Sequence, residues 1–198
     1  MSDVAVEFGA TTLLRDVTFT VAAAPLEGRV MNGTVASIAA IIERELRTLR
    51  AQVEAYGDER DLWLLAPGIA NPPGALAAHL VGNLQYYVGA RLGGTGYVRD
   101  RPAEFARRDR TRADLVAAIE ETRAIVRATL ASLPETELDR EFPEVVGGVY
   151  LTTGDFLIHL TGHLAYHLGQ IDSHRRLLAG GGAIRAVPIP ELASARPA

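Results

Sequence analysis

Three histidines lie four residues apart in the segment DFLIHLTGHLAYHLGQI: His159, His163 and His167. If the segment is helical, a step of four residues turns the chain by about 400°, so each ring lies almost above the previous one. Either adjacent pair can therefore bind one metal ion. Buried imidazoles need polar partners, and this face otherwise carries leucine and isoleucine. The spacing therefore predicts a metal site on this helix.

A third ligand usually comes from another helix, and His79 is the obvious candidate. Taken alone, a histidine in an amphipathic helix is more often an ordinary hydrogen-bonded residue than a metal ligand. Three imidazoles would leave one coordination position open, which is typical of catalytic rather than structural sites. The spacing allows two triads, because His79 can be joined by His163 and His167 or by His159 and His163.

Four segments carry apolar residues at helical spacing and would have to position these histidines. They are predicted at residues 34–56, 71–94, 111–133 and 152–179. Capping signals support these bounds, because Asn71 precedes two prolines, and Thr111 and Thr152 each precede an aspartate by three residues. We therefore predict an all-α protein, a four-helix bundle in an up-down arrangement with long connecting loops.

The first residues do not follow the helical pattern. The segment VAVEFGATTLLRDVTFTV alternates like a pair of short strands and resembles the opening strands of an ABC-type ATPase domain. No Gly-x4-Gly-Lys-Ser/Thr loop follows it, so no ATPase activity is expected. We predict a strand-like appendage at residues 1–31, the bundle at 32–182 and an irregular, proline-containing tail at 183–198.

Composition excludes several classes of function. The chain of 198 residues has 24 acidic and 20 basic side chains, a net charge of -4 that offers no basic surface for nucleic acid. It has no cysteine, so any reacting thiol must come from a small molecule. No segment is apolar over the length of a membrane span, and no signal sequence is recognisable, so we expect a cytoplasmic protein without membrane contact.

The His79 helix, the sequence GHLAYHLGQI in the last long helix and the four-helix layout together resemble the DinB-like superfamily of metal-binding bundles over residues 34–179. The resemblance implies that His79, His163 and His167 bind one divalent metal ion, with Gly-Gln following the pair as in relatives. It also implies that His159 neighbours the site, and that the protein forms a homodimer. Three imidazoles suit zinc, nickel, copper or iron, of which zinc and nickel are preferred.

Enzymes of this superfamily include transferases and isomerases that use low-molecular-weight thiols such as bacillithiol, mycothiol or glutathione. The resemblance therefore implies a metal-dependent transferase or isomerase that activates a small-molecule thiol. A metal-dependent hydrolase is the first alternative, although neither histidine-bearing helix has a carboxylate at a suitable offset, and Asp172 is predicted on another, solvated face. A non-enzymatic, stress-associated metal-binding bundle is the second.

Several other polar residues are placed by their position along the helices. Asn83 and Gln170 each lie about one turn from a predicted ligand and could orient it. His174 is expected at a solvated helix end, and Tyr166 on the flank of its helix. Five arginines of the connecting segments are expected mostly on the solvated surface, although they make an anionic ligand conceivable: Arg91, Arg99, Arg101, Arg107 and Arg108.

Overall fold

The computed structural model describes residues 6–8, 11–14 and 33–197, and the chain divides into two compact units, Met1–Val30 and Met31–Ala198. In the first unit, two short antiparallel strands are described, β1 (Val6–Phe8) and β2 (Thr11–Leu14). The rest of the segment for which strands were predicted lies outside the described residues.

The described part of the second unit contains five α-helices and makes the chain mostly helical, which confirms the all-α class. None of these helices combines the length and the apolar content needed to cross a bilayer. The five are α1 (Thr34–Glu54), α2 (Pro73–Leu84), α3 (Arg101–Ala106), α4 (Arg112–Ser132) and α5 (Thr153–Ala179).

Helix α2 departs from the sequence prediction at both ends. Its N-cap is Pro72, whose extended backbone precedes Pro73 in the first helical position, so the prediction of Asn71 as the cap was wrong. At the other end, the α-helix gives way to one π-helical stretch at Gln85–Ala90. The chain then leaves the helix through Gly94, whose φ of 65° favours glycine.

The other long helices begin where their capping residues predicted. Thr111 and Asp114 form the predicted capping box of α4, and the Thr152 side chain accepts a hydrogen bond from the backbone N–H of Asp155. Helix α1 is capped from a distance, because the Glu135 carboxylate accepts hydrogen bonds from the first two backbone N–H groups of the helix. That contact ties the start of α1 to the turn that follows α4.

Helix α1 packs against α4 and α5, and α2 packs against α3, α4 and α5. The apolar faces predicted from helical periodicity are the buried faces. Removing these side chains from water supplies most of the driving force for packing. The buried side chains of the three longest helices include Ile42, Leu46, Leu49 and Val53 of α1, Leu115, Ile119, Val126 and Leu130 of α4, and Leu157, Leu160, Leu164, Leu168 and Ile171 of α5.

The described part of the C-terminal tail is held to the helices by charge. A short 3-10 helix at Ile189–Glu191 places the Glu191 carboxylate against Arg47 of α1 and against Arg185. The described part of the tail therefore has a contact with α1.

Candidate metal centre

Three histidine rings meet between α2 and α5. The Nε2 atom of His163 lies 3.2 Å from Nε2 of His79 and 3.2 Å from Nε2 of His167. Further along, the Tyr87 ring meets the Phe156 ring, with centroids 4.9 Å apart. Because later residues of one helix face earlier residues of the other, α2 and α5 run antiparallel at the site.

The hydrogen-bond partners of two rings show which nitrogens carry protons. Nδ1 of His79 lies 2.9 Å from the Glu104 carboxylate, and Nδ1 of His167 lies 2.7 Å from Oε1 of Gln170. Both partners are acceptors, and the Glu104 oxygen lies closer to Nδ1 of His79 than the Arg99 Nη2 donor does, at 3.1 Å. We therefore assign the proton of each neutral ring to Nδ1, so that Nε2 keeps its lone pair. Two lone pairs therefore point towards the Nε2 atom of His163, an arrangement that favours a shared cation.

Burial keeps the rings of the α5 pair neutral. Burial and, to a smaller extent, the neighbouring rings of His167 and His79 together lower the pKa of His163 from 6.5 to about 4. Burial also lowers the pKa of His167. Neutral imidazole is the form that binds metal, so neither ring has to lose a proton at pH 7.

Two of the three nitrogen spacings match those around one metal ion, and all three ligand atoms lie within 4.8 Å of one another. Two imidazole nitrogens bound tetrahedrally to zinc at about 2.0–2.1 Å lie about 3.4 Å apart, close to the two distances of 3.2 Å. Nδ1 of His163 is buried without a hydrogen-bond partner in the described structure, which leaves that ring without a hydrogen bond to fix its tautomer. Among the described residues, His79, His163 and His167 form the group of side chains that could hold a metal ion.

Glu104 is the functional candidate that the sequence analysis missed. It lies on the short helix α3, is buried, and contacts His79 as well as the Arg99 guanidinium, at 2.7 and 2.8 Å. Burial alone would raise its pKa, but Arg99 and His79 outweigh burial and hold the pKa below the usual value. An ionised carboxylate on Nδ1 fixes the tautomer and orientation of a ligating histidine and increases its basicity.

Glycine at position 82 allows this carboxylate to reach His79. A Cβ atom on Gly82 would lie 2.1 Å from Oε1 of Glu104, closer than any real contact. The glycine therefore leaves the space in which Glu104 packs against α2.

The structure places His159 outside the cluster. Its side chain is exposed, and its ring stacks at 6.2 Å between centroids on the ring of His163. The rival triad of His79, His159 and His163 is therefore not the one that converges. Gln170 contacts a ring of the cluster as the sequence suggested, and Tyr166 is 65% exposed on the flank of α5.

Two predictions of solvated residues on α5 were wrong. His174 is buried, with Nδ1 3.1 Å from the Tyr56 hydroxyl and Nε2 3.0 Å from the carbonyl oxygen of Leu64, because the segment after α1 covers this part of the helix. Asp172 is largely shielded and accepts hydrogen bonds from Gln52 and Arg175.

The arginines of the connecting segments are mostly paired rather than free. Arg99 is buried against Glu104, Arg91 pairs with Glu144, and Arg107 pairs with Asp109. The expectation of a mostly solvated set holds for the four that are exposed, Arg91, Arg101, Arg107 and Arg108. Arg99 is the exception, because the loop before α3 folds back onto α2.

Helices packed around three converging imidazoles define a class of all-α proteins with a candidate three-histidine metal site. The chain belongs to the DinB superfamily, whose family model matches residues 41–171. The matched range contains all three converging histidines and Glu104. No curated protein matches the chain.

Proposed function

We propose that the protein binds one divalent metal ion, zinc or nickel, through the Nε2 atoms of His79, His163 and His167. The observation that carries the proposal is the convergence of three Nε2 atoms. Two of them keep their lone pairs because the Nδ1–H groups of the same rings donate to Glu104 and Gln170. Three ligands leave one coordination position for a small molecule. The proposal includes an up-down arrangement of the four longer helices, the division at residues 1–31, 32–182 and 183–198, and a homodimer.

In the reaction we propose, an activated low-molecular-weight thiol either forms an adduct with a small acceptor molecule or isomerises it. The bound ion would lower the pKa of that thiol, so that it reacts as a thiolate at neutral pH. Membership in the superfamily supports this reaction, and the absence of cysteine from the sequence means that the thiol has to be a co-substrate.

A cleft beside the candidate centre supports a small, anionic acceptor. It has a volume of about 600 Å³ and is lined by tyrosine and arginine side chains, among them Tyr86, Tyr97 and Arg101. Arg99 also lines it and touches both Glu104 and His79, so the cleft adjoins the histidine cluster. Arginine recognises carboxylates well, which fits a maleyl-type acceptor.

Hydrolysis remains the second candidate. The position of the Glu104 carboxylate decides how well the site fits it. A metallohydrolase needs a carboxylate that can take a proton from the attacking water. Glu104 is a carboxylate at the site, but it lies on the Nδ1 side of His79 and both of its oxygens are engaged by Arg99. We therefore place hydrolysis behind thiol transfer, and a non-enzymatic metal-binding bundle third.

The test uses protein without a histidine tag, loaded with zinc or nickel. It is incubated with bacillithiol, mycothiol or glutathione and with a chlorinated aromatic or maleyl-type acceptor, and the product is followed by mass spectrometry. We expect a metal-dependent adduct or isomer with at least one thiol, lost in His163→Ala and kept in His159→Ala. Metal binding without turnover of any pair would contradict the thiol reaction and favour the non-enzymatic alternative.

A further inference from the structure

The carboxamide oxygen of Asn83 is buried without a partner. Asn83 lies on α2, is 7% exposed, and its Oδ1 atom accepts no hydrogen bond from any described residue. Buried polar atoms nearly always have a partner, and leaving one without a partner is costly. An unpaired acceptor at this depth is free to accept a hydrogen bond from a group outside the chain, either water or a ligand.

Asn83 lies one helical turn after His79, next to the candidate centre. His79 and Asn83 are four residues apart on α2 and so lie on one stripe of the helix, and Tyr87 follows in the π-helical stretch. His79 meets the α5 histidines and Tyr87 meets Phe156, so Asn83 lies between these two contacts. Helical side chains lean towards the N-terminus of their helix, which brings the carboxamide towards the turn of His79.

The chemistry of the unpaired atom limits the ligand. A carboxamide oxygen accepts hydrogen bonds and needs an O–H or N–H donor. The sulfur of a thiolate has no proton to give, so the donor has to be another group on the same molecule. A hydroxyl or amide a few bonds from the sulfur would reach the oxygen while the sulfur occupies the open position.

We propose that Asn83 Oδ1 accepts a hydrogen bond from a hydroxyl or amide group of the thiol, so that the site selects donor-bearing thiols over plain alkyl thiols. This inference rests on the proposed function. A site that pairs a buried acceptor with a ligand donor discriminates strongly against an analogue that lacks the donor, because the acceptor is then left unpaired. One hydrogen bond corresponds to a preference of about 10-fold.

Two thiols of matched size test the inference on wild-type protein. The cobalt(II)-loaded protein is titrated with 2-mercaptoethanol and with 1-propanethiol, which replaces the hydroxyl by a methyl group, and thiolate binding is read from the sulfur-to-cobalt charge-transfer band. We expect 2-mercaptoethanol to bind about 10-fold more tightly. The hydroxyl also makes 2-mercaptoethanol the more acidic thiol, so the hydrogen bond is read from the change in preference between wild type and variant. In Asn83→Leu, which removes the acceptor, we expect the preference to fall by about 10-fold, and Asn83→Ala is the second variant if Asn83→Leu does not fold.

The matched control is Gln85→Leu, which removes another buried carboxamide of the same region. Gln85 donates to the Thr122 hydroxyl and lies off the His79 stripe, so this variant should keep the preference. Equal affinities in wild type, or a preference of unchanged size in both Asn83 variants, would overturn the role of Asn83 and leave the thiol function standing. No charge-transfer band with either thiol would overturn the thiol function and this inference together.

Discussion

Replacing Gly82 by alanine should weaken metal binding while leaving the fold largely intact. The new Cβ atom would lie 2.1 Å from Oε1 of Glu104 and 2.8 Å from its Cδ. The carboxylate has to move by roughly 1 Å or more before ordinary van der Waals contact is restored. Such a shift breaks the 2.9 Å hydrogen bond to Nδ1 of His79 and disturbs the pair with Arg99.

The loss of metal affinity and the change in the free energy of unfolding are estimated separately, and the second is the difference of two opposing terms. Loss of a partner that orients a ligating histidine typically weakens metal affinity by about 10–100-fold. Alanine in place of glycine favours the helix by about 1 kcal/mol, whereas overpacking against Glu104 costs about 1–3 kcal/mol. We therefore expect the free energy of unfolding of the metal-free protein to fall by no more than about 2 kcal/mol.

Gly162→Ala is the matched control, because Gly162 is a helical glycine beside His163 whose added Cβ would meet no atom within 4 Å. Zinc affinity is measured by competition with a chromophoric chelator, and the stability of the metal-free protein by urea unfolding. Gly162→Ala should keep wild-type zinc affinity and gain about 1 kcal/mol. If Gly82→Ala binds zinc as tightly as Gly162→Ala does, the inference that Glu104 orients His79 is refuted.

Three further predictions concern the ligands, the pH dependence and the buried network on α5. His79→Ala should lose the bound metal ion and His159→Ala should keep it, as measured by elemental analysis of tag-free protein; the reverse result would restore the rival triad. The metal-free protein should lose stability as the pH falls from about 6.5 towards 4. In this range His163 binds a proton in the unfolded chain but stays neutral in the folded protein, where its pKa is about 4. A urea midpoint that is constant between pH 7.5 and 5 would contradict this. Tyr56→Phe should cost about 1–3 kcal/mol in urea unfolding, because it leaves Nδ1 of His174 without its partner, and should not change zinc affinity; a loss of zinc would mean that this network supports the site.

The helices could be predicted from the sequence because their signals are local. Apolar side chains at helical spacing mark α1, α4 and α5, and the threonine caps of the last two place their first turns within one residue. The short helix α3 was missed because six residues carry too little periodicity to be read. The π-helical stretch after α2 was missed as well, since nothing in its sequence separates it from an α-helix.

The three histidines could be predicted for the same reason, because two share one helix face and a third is available on another helix. Glu104 could not, since its contact with His79 spans 25 residues and depends on how the loop before α3 folds back. The burial of His174 was missed because the residues that cover it, Tyr56 and Leu64, lie in the segment that connects α1 and α2. Long-range contacts made by loops leave no periodic trace in the sequence.

The central claim is that three imidazoles, one from α2 and two from α5, bind a single metal ion. X-ray absorption at the zinc edge of tag-free, zinc-loaded protein tests it most directly, because imidazole ligands contribute characteristic outer-shell scattering. We predict one zinc per chain with three imidazole nitrogens at about 2.0–2.1 Å, and two in His79→Ala if residual zinc is retained. A spectrum of zinc bound only by oxygen, or one with no imidazole lost in His79→Ala, would contradict the claim.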